Sequence, residues 1–388
     1  MKKPCLKITA FLFITTLFLL IFLILYTGCE LYTASPSKNE NSGEKSKDDG
    51  RSQTPILYVI SSDTVIYFNA LTGAYINGNL TNSSFTTGNT LTGVTVNSLA
   101  NILYALSSNT VIYFNATTGA YINGSLANSS FITGNISCGV AVNSSANILY
   151  VINWDSDTVT FFNATTGAYI NGTLENSSFP TGDGLTIDHP RGVAVNISAN
   201  ILYVTNHDSN TVTYFNATSG AYINGSLANS SFITGNIPCG VAVNSSANIL
   251  YVINWGSDTV TFFNATTGAY INDTLENSSF PTGNSPNEVA VNMSANILYV
   301  INSSNTVTYF NATTGEYING TLEDSSFTTG NNPNGVAVNL SANILYVTNW
   351  SLKTVTYFNA TTGAYINGYL ANSSFTTGNN PNGVAVNQ

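Results

Sequence analysis

The sequence predicts an all-β fold, a β-propeller of seven blades, on three observations. Seven near-copies of one block fill the chain from about Thr54 to its last residue. Each carries an Ile-Leu-Tyr-Val element, beginning at Ile56, Ile102, Ile148, Ile201, Ile249, Ile297 and Ile344, with Ala105 replacing the valine in the second copy. The period is 46 to 53 residues of short apolar runs and turn residues, the spacing of four strands per blade. The first block opens at its second strand, and the last stops just after an inner strand, Gly383-Val-Ala-Val-Asn387. The C-terminal strand is therefore expected to complete the blade that the N-terminus opens, which closes the ring and hides its edges.

Residues 1–29 precede the repeats as a separate element. Met1 to Lys7 is basic, Ile8 to Gly28 is uncharged and apolar, and Tyr26-Thr27-Gly28-Cys29 ends the run. This resembles a bacterial lipoprotein signal, which implies lipidation of Cys29 and a cell-envelope location. With Tyr26 where that signal usually has Leu, an uncleaved signal anchor is the alternative, because ~20 apolar residues can span a bilayer. Residues 30–53 hold Ser, Asn, Lys, Glu, Asp and Gly with almost nothing apolar. Such a segment cannot bury enough surface to offset its ordering entropy and reads as a flexible tether to the propeller of residues 54–388.

Within a block, the copy around Ile201 shows the elements in order. Gly192-Val-Ala-Val-Asn196 reads as the inner strand, with small Ala194 expected at the crowded position near the axis. Ile201-Leu-Tyr-Val-Thr205 is the second strand, apolar on both faces because each blade lies between two others. Thr211-Val-Thr-Tyr-Phe215 is the third, β-branched and aromatic. Asn216 to Gly220 is a tight connection, and Ala221-Tyr-Ile-Asn224 reads as the start of the outer strand. The stretch through Ser230, Ser231, Phe232 and Gly235 is expected to cross to the next blade.

Tyr203-Val-Thr-Asn206, the Asn210 to Gly220 segment and Gly192-Val-Ala-Val-Asn196 resemble the YVTN-type propeller repeat, related to NHL-repeat propellers. The resemblance covers the whole repeat body. It implies the propeller fold and an extracellular recognition or structural role, and it carries over no universal catalytic motif.

Charge excludes several partners. Nine Lys and Arg stand against nineteen Asp and Glu, and the repeat body keeps only Arg191 and Lys353 as basic residues. Such a body cannot neutralise a nucleic-acid backbone, and contact with a membrane is expected through the N-terminal anchor only. Of the four cysteines, Cys138 and Cys239 occupy equivalent places in blades separated by a third, too far apart for a disulfide, and no spacing resembles a metal site.

Propellers place ligands on the face around the central opening. Just before each inner strand lies a ring of Thr92, Cys138, Arg191, Cys239, Asn287, Asn334 and Asn382. The crossing from Asp183 to Arg191 is lengthened by five residues and carries Asp188, His189 and Arg191, while Glu288 replaces a repeat glycine. Asp188, His189, Arg191 and Glu288 are the candidate polar site, with Trp154 and His207 at its rim; Asp188 is the expected partner of Arg191. For Trp154, Trp255 and Trp350, aromatic caps over blade seams are the commoner reading. Ser125 to Gly182 and Ser226 to Gly283 differ only at Ser137/Pro238, Asp155/Gly256 and Gly172/Asp273, so recurrence of Cys138/Cys239 and Trp154/Trp255 reflects copying.

The function expected is that of a binding or structural module at the cell surface, taking a surface protein or carbohydrate and needing no cofactor. The alternative is a metal-assisted lactonase or lyase using Ca²⁺ or Mg²⁺ in the axial funnel, a possibility the fold leaves open. The many Asn-x-Ser/Thr triplets, such as Asn115-Ala-Thr117 and Asn216-Ala-Thr218, read either as glycan acceptors or as turn residues held by local hydrogen bonds. A lipoprotein-type leader favours the second.

Overall fold

A computed structural model describes residues 55–182 and 188–387. Cys29, the leader and the polar segment before the repeats lie outside the described residues, as does most of the five-residue-longer crossing. The described chain forms seven four-stranded antiparallel sheets. Blade 4 runs from an inner strand, Pro190–Asn196, through Ile201–Asn206 and Thr211–Asn216 to an outer strand, Ser231–Ile233. The predicted closure is present: Pro381–Asn387 is the inner strand of the first blade and pairs with Ile56–Ser61, Ile56 opposite Asn387 and Ile60 opposite Gly383. Among the described residues no helix is long and apolar enough to cross a membrane.

The second strand of every blade is buried along its whole length, and the third along all but its ends. The side chains meet in seven apolar clusters, each lying between two neighbouring blades; Tyr203, Val212 and Ala194 of blade 4, for example, pack on Val241, Leu250 and Phe263 of blade 5. Cohesion is therefore a property of seams, as expected of stacked repeats. Among the described residues, polar rivets fasten six of the seven seams. Tyr150 Oη donates to the carbonyl of Ala217 in the next blade at 2.6 Å, and Tyr58, Tyr104, Tyr203, Tyr251 and Tyr346 make the equivalent bond. Burial pushes the pKa of these phenols up, so they stay donors. The seventh copy, Tyr299, makes no such bond among the described residues.

Three details differ from the sequence reading. The outer strand is Ser231–Ile233, ten residues beyond the predicted start, and the segment at Ala221 forms only one bridge, Tyr222 to Phe215. The hydroxyl of Tyr222 then reaches back to the carbonyl of Pro180 in the preceding blade, so this segment fastens a seam and does not extend the sheet. Inner strands begin two residues earlier than their glycine, across a bulge that breaks register between Pro190 and Val193. Finally, Val193 and not Ala194 lines the axis, while Ala194 faces the seam.

Candidate functional site

The bulged start of each inner strand turns one side chain toward the axis. The result is a central cavity of about 380 Å³, lined by the predicted ring of Thr92, Cys138, Arg191, Cys239, Asn287, Asn334 and Asn382, with Glu288 beside them. Ring side chains are stitched to one another in a single rotational sense. Asn287 Nδ2 donates to Asn334 Oδ1 at 2.8 Å, Asn334 Nδ2 to Asn382 Oδ1 at 2.7 Å, and Asn382 Nδ2 to the Leu91 carbonyl at 3.2 Å. The hydroxyl of Thr92 continues to the Ser137 carbonyl at 2.9 Å, and the thiol of Cys138 to the Pro190 carbonyl at 3.2 Å. Inner strands have no backbone partner on the axial side, so this belt takes up carbonyls that would otherwise need solvent.

Arg191 interrupts the pattern. Its Nη2 passes blade 5 and donates to Asn287 Oδ1 at 3.4 Å; the expected pairing with Asp188 is replaced by this contact. The Asp188 carboxylate instead lies over Gly182, where an added Cβ would come within 1.3 Å of its Oδ2, and the residue is buried. Asp188 thus packs in the crossing between blades 3 and 4, its N–H held by Asp157, and is not among the residues lining the cavity. Nor is it part of the insertion: Asp208 N–H donates to the Asp188 carbonyl as Asp155 N–H does to that of Asn135. The repeat position is kept, and the extra residues are 183–187.

Glu288 is half-buried at the cavity wall. Burial pushes its carboxyl up to about 7, against the pull of the Val289 N–H on Oε1 at 3.3 Å and of the Arg191 charge. Burial also pushes the Cys138 thiol up to about 12 and that of Cys239 to about 11, Arg191 lowering both, so neither is a nucleophile near neutrality. Both are free thiols.

His189, His207 and Trp154 form a second cluster, outside the cavity lining. His189 Nδ1 lies 2.7 Å from Asp208 Oδ2 and His207 Nδ1 2.5 Å from Oδ1, so one carboxylate orients two imidazoles. Burial acts to raise the Asp208 carboxyl, but the hydrogen bonds and charges of the two histidines outweigh it and hold the pKa below the usual range. The His189 ring stacks on Trp154 at 4.5 Å and 13°. Its backbone φ of 45° is shared with Ile136 and Ile237 at equivalent places, and its N–H is held by Asp157 Oδ1 at 2.8 Å. That conformation belongs to the repeat and is not strain particular to this residue. Asp208, the hub of the cluster, was not among the predicted site residues. Trp255 and Trp350 are exposed, and Trp350 borders a shallow pocket with Ser303 and Asn287.

The predicted site therefore divides in two: Arg191 and Glu288 on the cavity wall, and His189, His207 and Trp154 around Asp208. Among the described residues no three His, Cys, Asp or Glu side chains converge to hold a metal.

No protein-family model and no curated protein sequence matches the chain. The fold is similar to solved structures at low identity. A protein of unknown function from Desulfotomaculum acetoxidans superposes with a TM-score of 0.63 at 15% identity, over 85% of this chain and 98% of that one. A candidate 6-phosphogluconolactonase from Bacteroides fragilis gives 0.62 at 16% over 87% and 99%. A similar candidate from Bacteroides uniformis gives 0.61 at 15% over 86% and 100%. These likenesses establish the propeller fold.

Proposed function

We propose that this chain is an exported propeller, held at the cell envelope through its N-terminus, that binds a surface carbohydrate or protein at the axial cavity. The observation that carries this reading is the break in repeat symmetry: among the described residues, in a wall otherwise built of Asn, Thr, Cys, Gly and Val, Arg191 and Glu288 are the charged side chains. An amide-rich wall with one guanidinium and one carboxyl poised near neutrality suits a hydroxylated ligand, which needs many directional donors and acceptors and little net charge. Flat faces of Trp255 and Trp350, exposed on blades 5 and 7, suit the apolar faces of sugar rings. The YVTN-like repeats and the apolar leader ending at Cys29 support placement at the surface.

Two measurements test the reading separately. Full-length protein carrying Arg191→Met should stay folded by circular dichroism yet bind isolated envelope polysaccharide at least tenfold more weakly; equal binding places the ligand elsewhere. Cys29→Ala should abolish fatty-acid labelling and leave a precursor held by its leader, whereas labelling that persists refutes lipidation of that cysteine. A second reading, lactone hydrolysis or a lyase reaction, is favoured only by the shifted Glu288 carboxyl beside Arg191 and by the names of the two Bacteroides neighbours. Ca²⁺- or Mg²⁺-dependent turnover of a lactone, reversed by chelator and lost in Glu288→Gln, would establish it.

A further inference from the structure

The structure sorts the Asn-x-Ser/Thr triplets by what each asparagine does. In the Asn115 type the asparagine is half-buried, and its Oδ1 accepts the N–H groups of Thr117 and Thr118. In the Asn143 type the asparagine is buried and its Oδ1 accepts Ala146 N–H. Asn123 and its equivalents are exposed, but Nδ2 is committed: Asn123 Nδ2 donates to Tyr113 Oη at 2.6 Å and to the Asn128 carbonyl at 2.8 Å. Local hydrogen bonding thus accounts for these three types. It accounts equally for buried Asn302 and Asn349, whose Nδ2 groups donate to Thr308 and Thr356, and for Asn79, whose Oδ1 accepts Asn82 N–H. Asn135, exposed and without a side-chain bond among the described residues, stands apart from all of these in a crossing that leads to an inner strand.

Local hydrogen bonding does not account for the fourth type. Asn82, Asn128, Asn176, Asn229, Asn277 and Asn372 each begin an Asn-Ser-Ser triplet in the short turn before an outer strand. All six side chains are exposed, and among the described residues none makes a side-chain hydrogen bond. Their backbone is held tightly, since the carbonyl of Asn128 accepts Asn123 Nδ2 and the next residue, Ser129, is buried with its hydroxyl on Asn123 N–H at 2.8 Å. A pinned turn that leaves its amide in solvent presents that amide outward. The seventh copy is an internal control: there the residue is Asp324, and its Oδ2 turns back to accept the Thr321 hydroxyl at 2.8 Å.

We propose that these six asparagines are N-glycan acceptors, forming an interrupted girdle of carbohydrate around the outer rim. The inference rests on the export reading alone and not on lipidation of Cys29, the feature that favours turn residues over glycan acceptors. Export is needed because the donor is a lipid-linked oligosaccharide available only across a membrane. Nδ2 attacks the anomeric carbon; the C1–N bond forms, the C1–O bond to the polyprenyl pyrophosphate breaks with its electron pair on the leaving group, and the amide loses one proton. The girdle lies away from the axial cavity, whose lining includes none of these residues, so glycans would cover the outer strand edges and leave the cavity open.

The test is glycopeptide mass spectrometry on full-length protein purified from the cells that make it, alongside protease shaving of intact cells. Sugar mass is expected on peptides containing the six rim asparagines and not on those containing Asn143 or Asn244. Asp324→Asn should add one glycan, and Asn128→Gln should remove one, each as a single mobility step. Protein digested at the cell surface yet bare at all six sites overturns the girdle and leaves the surface reading intact. Protein protected from the protease overturns the surface reading and the girdle with it. Sugar found equally on the Asn143 type would show that the structural sorting does not govern modification.

Discussion

At the scale of single residues, the repeat allows matched comparisons within one molecule. Gly220 and Gly225 have similar backbones, φ 74° and 81°, but a Cβ at Gly220 would lie 2.1 Å from Cζ of Phe179 in the preceding blade, while at Gly225 nothing lies within 4 Å. Gly225→Ala should cost about 1 kcal/mol from the left-handed backbone alone. Gly220→Ala should cost that plus about 1–3 kcal/mol of overpacking, because a rigid ring cannot yield as a flexible chain end would. Equal melting temperatures for the two variants would show that the seam is looser than its geometry. Glu288 gives a comparison in pH. Its folded pKa, near 7, lies above the ordinary carboxylate value of 4.5, so folding binds a proton and stability is lost as pH rises from about 4.5 to about 7. Glu288→Gln removes that slope. With allowance for solvent in the cavity, the variant should gain about 1–2 kcal/mol over wild type at pH 8 and nothing at pH 4. Denaturant melts at both values decide it; a gain that does not depend on pH would mean the carboxyl is not held in a dry site.

Elements are where the sequence was most and least legible. Inner, second and third strands could be read because their apolar runs recur at fixed spacing, the second and third being buried on both faces and the inner half-buried beside the axis, and closure followed from counting them. It has a direct consequence: deleting Gly383 to Gln388 removes the partner of Ile56–Ile60 and opens the seams on both sides of the inner strand. The loss should be several kcal/mol, comparable with the whole margin of about 5–15 kcal/mol by which a domain is folded. A truncated protein that melts within a few degrees of the intact one would contradict the pairing. The outer strand was misplaced for a local reason. Tyr-Ile-Asn looks more like a strand than Ser-Phe-Ile, yet Ser231–Ile233 gains its order from pairing Phe232 with Val212 and from a tilted ring contact with Phe263 of the next blade, centroids 4.7 Å apart. Tertiary packing overrode β-propensity, which is weak over three residues. The axial ring was legible because seven aligned copies place it. The Asp208 hub was not, since nothing in the spacing says that His189 and His207, just beyond the ends of two paired strands, turn to the same carboxylate.

On the scale of the whole molecule, Arg191 and the rim cluster sit beside the one crossing that departs from the repeat. Deleting residues 183–187 restores repeat length and leaves Asp188, whose carbonyl accepts Asp208 N–H of blade 4. The shortened protein should melt within a few degrees of the intact one and lose polysaccharide binding; joint loss of both would make the extra residues structural packing. The belt of side-chain bonds around the axis bears on a different question, where the polypeptide must begin. The belt and the Tyr rivets tie each blade to its neighbours in similar ways, and Ile56 already faces Asn387, so the covalent break is an accident of one turn among seven. A chain in which a short linker joins residue 388 to residue 54, and which is cut instead at the equivalent turn between Asn244 and Ile249, should fold to the same ring. In such a circular permutant, assembly would finish at a different seam, and the order in which blades emerge during synthesis would become something that can be chosen.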